Sequence, residues 1–217
     1  MNRTILSIVA ILGCTVSLSA QDYSKFAFNV GGGVTAPLIP TAKFAGVSGN
    51  FDTGAGYNIT RHHALLGEFM WSGLPPNFST LQPVNAPFGN INLYSLTANY
   101  RYQADRLSGS RFGVYLIGGG GWYYRRATVD KNYIAPPGTA CQPIYTWWGY
   151  GCTANDFVYT ATIASRGVSA GGLNAGAGFT IRLADSGFKF YVESRYHYAF
   201  SHIPSTLVPV TFGFRYN

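Results

Sequence analysis

Eight charged residues offer the first chemistry in this chain of 217 residues: Asp52, Glu68, Arg101, Arg182, Lys189, Glu193, Arg195 and Arg215. They stand at alternate positions of stretches whose other residues are apolar or aromatic. In Phe190-Tyr191-Val192-Glu193-Ser194-Arg195-Tyr196, Glu193 and Arg195 fall in one alternating set while Phe190, Val192 and Tyr196 fall in the other. A strand sends successive side chains to opposite faces, so the charges gather on one face. Carboxylates and guanidiniums on the inner wall of a barrel have two uses. Paired, they form a network that fills the lumen; wetted, they line a pore with a weak anion preference. An unpaired dry charge is very costly, and eight strands leave a lumen just wide enough for side chains to fill, so a filled lumen is expected. Glu68, Glu193 and Arg195 fall near mid-height, and Arg101, Arg182, Lys189 and Arg215 toward the periplasmic mouth.

Other chemistry is thinner. His197, Ser201 and His202 offer a base and a nucleophile near one rim, with Ser194 lower on the wall. A hydrolase also needs an orienting acid. No Asp or Glu follows His202, and Glu193 points away from it, so no enzyme is expected and no catalytic, cofactor or metal residue is assigned. His62-His63 falls in a short turn and reads as a solvated pair. Cys141 and Cys152 remain once an export signal is removed, and an even cysteine count in an exported chain suggests a disulfide. The short loop it closes makes it worth roughly 2–3 kcal/mol on the loop-entropy model. Trp147, Trp148 and Tyr150 lie in the same long connection, Ala127 to Ala164. They either stack on a sugar ring or a partner's surface, or form the small core of a tied hairpin.

The elements that carry these residues are strands. The closing stretch Leu207 to Asn217 alternates Val208, Val210, Phe212, Phe214 and Tyr216 with Pro209, Thr211, Gly213 and Arg215. Seven earlier stretches read the same way: Phe26–Val34, Val47–Ile59, Ala64–Ser72, Ile91–Tyr102, one from Arg111, Val168–Leu183 and Phe188–Tyr198. Connections alternate between long and short, and the short turns are expected in the periplasm. The expected fold is all-β: an eight-stranded antiparallel up-and-down barrel spanning an outer membrane. A soluble lipocalin-like barrel would leave all these aromatic outer faces in water.

Composition agrees. Charged residues make up 11% of the chain and aromatics 16%, whereas soluble domains carry about 25% charged residues. Beyond the start there is no apolar run of about 18 residues, so helical spans are not expected. The net charge of +7 is spread along the chain without a Lys/Arg cluster, which argues against a nucleic-acid partner. Residues 1–20 read as a cleaved secretory signal, with Arg3 before the apolar stretch Ile5–Val16 and small residues before a cut after Ala20. Lipoprotein processing at Cys14 is the rival reading. Residues 21–217 form the barrel domain.

The pair of segments Phe190–Tyr196 and Val210-Thr211-Phe212-Gly213-Phe214-Arg215-Tyr216 resembles the small outer-membrane barrels of the OmpA transmembrane-domain, OmpX and OmpW types. Asn29-Val30-Gly31-Gly32-Gly33 and Asn174-Ala175-Gly176-Ala177-Gly178 look alike in the same way. The resemblance implies residence in the cell outer membrane, contact with the lipid bilayer and lipopolysaccharide, and a lumen filled by a charged network. It implies that the last strand is recognised by the barrel-assembly machinery, here with Tyr216 penultimate. The chain is expected to stop at the barrel, without OmpA's peptidoglycan-binding domain. A structural or surface-interaction role with an external ligand or partner follows. The alternatives are an OmpW-like channel for ions or small apolar solutes, and a rim hydrolase acting on lipid; the His-x-Ser arrangement of the lipid A deacylase barrels is absent.

Overall fold

The computed structural model describes residues 24–82, 88–104, 111–135, 142–146, 149–153, 157–183 and 187–216. Eight strands form the closed barrel: β1 Phe26–Pro37, β2 Ser48–Asn58, β3 His63–Leu74, β4 Phe88–Gln103, β5 Phe112–Ala135, β8 Phe157–Arg182, β9 Phe188–Ala199 and β10 Ser205–Tyr216. A separate two-stranded sheet, β6 Gln142–Thr146 with β7 Gly149–Thr153, lies between β5 and β8 in the chain. Every barrel strand pairs antiparallel with its neighbours, and β1 closes on β10 from Phe28↔Tyr216 to Pro37↔Leu207. Closure leaves no unpaired strand edge in the barrel wall, where a bilayer would not tolerate one.

The barrel is inside out. Polar and charged residues fill its interior, while Phe28, Phe69, Leu96, Leu116, Leu173 and Phe212 stand exposed on its wall. The exposed band has an aromatic girdle at each end. Trp71, Tyr94, Trp122 and Tyr124 mark one, with the Trp122 and Tyr124 rings stacked 5.7 Å apart. Phe26–Tyr57, His63–Tyr102 and Phe188–Tyr216 ring pairs mark the other. Amphipathic rings at these heights suit the two headgroup layers. His63 is therefore no solvated residue: it begins β3, packs on Tyr102 at 5.3 Å and hydrogen-bonds the Tyr100 hydroxyl through Nδ1.

The long connection departs from the sequence expectation. Ala127–Ala164 reads as loop, yet β5 and β8 continue to pair through it as far as Ala135↔Phe157, with one register shift at Val129/Asp130. The 24 residues of β5 span about 80 Å at 3.3 Å each, far more than the roughly 30 Å apolar core of a bilayer. The two strands thus leave the membrane as a two-stranded arm. The expected signal segment, Cys141, Trp147 and Trp148 lie outside the described residues. Cys152 and Tyr150 fall on β7, opposite Pro143 and Tyr145.

The segment between β1 and β2 folds back over the outer mouth. The Thr206 amide donates to Thr41 Oγ1 at 2.8 Å, the Gly46 amide donates to the Pro75 carbonyl at 2.8 Å, and Ala45 is buried. Beneath it lies an apolar layer of Met70, Leu74, Leu93, Tyr123, Ala199 and Leu207. A second layer, Ala27, Leu66, Tyr115 and Ile117, sits nearer the periplasmic end. Glu68 lies between the two, flanked along the inner face of β3 by Leu66 and Met70.

Candidate functional site: a charged plug in the lumen

Arg195 is the hub. It projects from β9, directly opposite Gly176 of β8, where the missing side chain leaves it room. Its Nη1 donates to Glu68 Oε2 at 2.6 Å and its Nη2 to Glu68 Oε1 at 2.9 Å, a two-pronged grip across the lumen. Its Nε donates to Glu193 Oε1. Planar guanidinium–carboxylate pairs of this kind are among the stronger hydrogen bonds in proteins. Both partners are almost wholly buried, at 5% for Arg195 and 2% for Glu68.

The remaining carboxylate valences are filled by neutral donors. Asn99 Nδ2 donates to Glu68 Oε2 at 2.5 Å, and Asn174 Nδ2 in turn to Asn99 Oδ1 at 2.9 Å. Asn29 Nδ2 reaches both Asp52 Oδ1 at 2.9 Å and Glu68 Oε1 at 3.3 Å, and the Tyr191 hydroxyl donates to Asp52 at 3.2 Å. Glu193 Oε2 accepts from the Tyr115 hydroxyl at 2.8 Å and pairs with Arg215 at 3.6 Å. The Arg215 guanidinium is held between the Tyr115 and Tyr191 rings, 4.6 Å from each. A buried charge stacked on ring faces and paired to a carboxylate is offset twice over.

Five of the eight expected charges therefore meet in one network: Asp52, Glu68, Glu193, Arg195 and Arg215. The other three do not join it. Arg101 is buried but donates to Asn58 Oδ1 at 3.1 Å, and its Nη1 finds no partner among the described residues. Lys189 stands directly opposite Arg182 on one side and Arg215 on the other, so these cations form a row near the periplasmic mouth. Sequence reading missed the neutral half of the plug. Asn29, Asn99, Asn174 and Tyr191 were legible as inward positions. Tyr115 falls inward by the same alternation, since Phe112, Val114 and Leu116 read as outward, but a segment apolar at almost every position gives no hint that its hydroxyl meets Glu193.

The groups weighed for hydrolysis are not assembled. His197 is buried with Nδ1 3.0 Å from the Tyr123 hydroxyl, Ser194 faces outward, and the Ser201 hydroxyl donates to the Ile203 carbonyl at 2.6 Å. What the plug can do is hold eight strands together and occlude the lumen. The void among Asp52, Glu68, Glu193, Arg195 and His197 amounts to about 10 Å³, room for about one water.

Room for the plug comes from small residues. A Cβ on Gly54 would meet Glu68 Cγ at 2.6 Å and Asn29 Oδ1 at 2.7 Å, and one on Gly178 would strike the Tyr115 ring at 2.5 Å. Gly178→Val should therefore displace Tyr115 from Glu193 and cost about 1–3 kcal/mol of unfolding free energy in urea titrations; an unchanged midpoint would mean that the ring moves aside freely.

Residues 6–216 match the family model described as outer membrane protein beta-barrel domain. The chain belongs to this outer-membrane barrel family. It resides accordingly in the cell outer membrane, with the exposed aromatic and aliphatic band as its lipid face. Two solved structures resemble this outer-membrane barrel. Neisserial surface protein A (NspA) is 16% identical with a TM-score of 0.53, covering 89% of this chain and 97% of its own. Ail, the attachment invasion locus protein of Yersinia pestis, is 15% identical with a TM-score of 0.51, covering 89% of this chain and 99% of its own. At these identities the likeness is one of fold. A comparison with curated protein sequences found no match.

Proposed function

We propose that this outer-membrane barrel is a closed-lumen, non-catalytic platform whose external arm and loops contact a partner at the cell surface. The observation that carries the reading is the filled lumen: the plug leaves a void of about 10 Å³, and apolar layers lie above and below it. Among the described residues the β5–β8 arm is the element that extends furthest beyond the barrel, paired as far as Ala135↔Phe157. Residues 1–20 serve as the cleaved export signal, and the alternating Phe212, Phe214 and Tyr216 of β10 as the mark read by the assembly machinery. Lipopolysaccharide is the natural neighbour of Arg126, which continues the outward face of Trp122 and Tyr124 above the outer girdle. The disulfide between Cys141 and Cys152 and an outward role for Trp147, Trp148 and Tyr150 belong to the same proposal.

The test is electrical. The refolded protein inserted into a planar bilayer should give no discrete current steps above the bare-membrane baseline, with insertion confirmed by protease protection of the barrel. Reproducible steps with an anion preference would replace the platform by the small channel, with Arg101, Arg182 and Lys189 as its selective mouth.

A further inference from the structure

We propose that the outer mouth of the barrel binds a single-chain fatty carboxylate. Above the apolar layer lies a cup of about 470 Å³ whose wall includes Phe44, Ile91, Val168 and Ile203. That volume falls within the roughly 300–1,000 Å³ of small-molecule sites, which pair a mostly apolar lining with a few placed polar groups. Here the placed groups are Arg125 and Arg166. Arg125 stands opposite Val168, and Arg166 opposite Ala127, so the two guanidiniums project from diagonal positions on the same face of the β5–β8 pair.

Among the described residues no carboxylate pairs with them. Arg125 is half-buried and donates to Ser205 Oγ at 3.0 Å, a neutral acceptor. Among the described residues no acidic side chain lines the cup, and the His202 imidazole stands on its wall. Two like charges side by side over an apolar floor attract an anion with a hydrocarbon tail. A small hydrophilic anion would leave the floor unused, and a neutral hydrocarbon would leave the guanidiniums facing each other. The floor also ends the path: below it the space among Leu93, Tyr123, Arg125 and Ser205 narrows to about 10 Å³. A chain entering from outside is held in the cup and goes no deeper.

The experiment titrates the refolded full barrel in lipid nanodiscs with decanoate by calorimetry, subtracting the heat of partition into empty discs. Decanol and decyltrimethylammonium serve as neutral and cationic probes of the same tail. Saturable decanoate binding is expected, at least tenfold tighter than either comparison probe. Arg166→Gln should weaken it about tenfold, and Val168→Trp, which fills the cup, should abolish it while far-UV dichroism keeps the barrel signal. If Val168→Trp fails to fold, Ile203→Trp fills the cup from the loop instead. Absence of saturable binding overturns the proposal. So does decanol or decyltrimethylammonium binding as tightly as decanoate, or an Arg166→Gln barrel that binds decanoate like the parent.

Discussion

Replacing Arg195 by Met lowers the unfolding free energy of the barrel by about 3–5 kcal/mol, the cost of leaving buried carboxylates without their cation. Arg195 grips Glu68 through two nitrogens and Glu193 through a third, and Asp52 is linked to Glu68 through Asn29. Take the guanidinium away and three carboxylates share a lumen with Arg215 alone among the paired cations. Urea unfolding in lipid vesicles, followed by tryptophan fluorescence, measures the loss. Glu68→Gln added to Arg195→Met should return part of it, because the second change removes one of the stranded charges; the two losses are then less than additive, as expected of groups in direct contact. Arg195→Lys should fall between, keeping the charge but not the planar fork. An Arg195→Met barrel as stable as the parent would mean that water reaches the carboxylates and screens them, and the closed-lumen reading would go with it.

The plug also explains why one substitution should not open the barrel. Current must pass the apolar layers of Met70, Leu74, Leu93 and Leu207 above and Leu66 and Ile117 below, as well as the Arg195–Glu68–Glu193 network itself. The Arg195→Met barrel is therefore expected to lose stability without gaining conductance. Apolar layers on both sides of the ion pairs also keep water from competing for their hydrogen bonds, which is where such bonds are strongest.

Much of this was legible because a strand's period is 2 and carries no drift. One register decision per strand sorted every later side chain, so Glu68 fell inside and Phe69 outside. Wherever one alternating set was apolar and the other polar, as in β9 and β10, the assignment held to the last residue. Sequence reading said less where the contrast between sets vanished. Within β5 the outward register of Phe112, Val114 and Leu116 put Tyr115 inside, but with Val114, Tyr115, Leu116 and Ile117 all apolar nothing showed what its hydroxyl would meet. In the arm both faces meet water, and Thr128, Val129, Asp130, Lys131, Asn132 and Tyr133 alternate no longer, although their backbones pair on as strands. Hydrophobic periodicity reports the environment of a strand, not its hydrogen bonds, and it falls silent where the membrane ends.

Pairing preferences inside the lumen were harder still. Arg182, Lys189 and Arg215 were placed on the right face, but distance along the barrel axis decides which carboxylate each one meets. Of these three only Arg215 reaches Glu193, at 3.6 Å, and it is clamped by Tyr115 and Tyr191. The cup of the outer mouth escaped altogether. Its walls come from β4, β5, β8 and three separate connections, and no spacing along the chain brings Phe44, Arg166 and Ile203 together before the barrel closes.

A second large effect separates the outer face from the inner one. Leu96 lies on the wall, 58% exposed, between the heights of Tyr94 and Tyr100. In water an arginine there would be nearly neutral. At the middle of a bilayer it costs about 2–4 kcal/mol, so Leu96→Arg should destabilise the barrel by that amount in vesicles. Phe88 lies on the same face of β4, well beyond the outer girdle, and Phe88→Arg should cost only about 0–1 kcal/mol. The pair is decisive because both residues are large, apolar and exposed, and both are replaced by the same cation. Packing losses are comparable, so the difference between the two variants reads depth in the membrane. Equal costs would put Leu96 and Phe88 in the same solvent and deny the apolar band its lipid; a gap of about 2–3 kcal/mol would place the bilayer centre at the height of Leu96, level with the plug it surrounds.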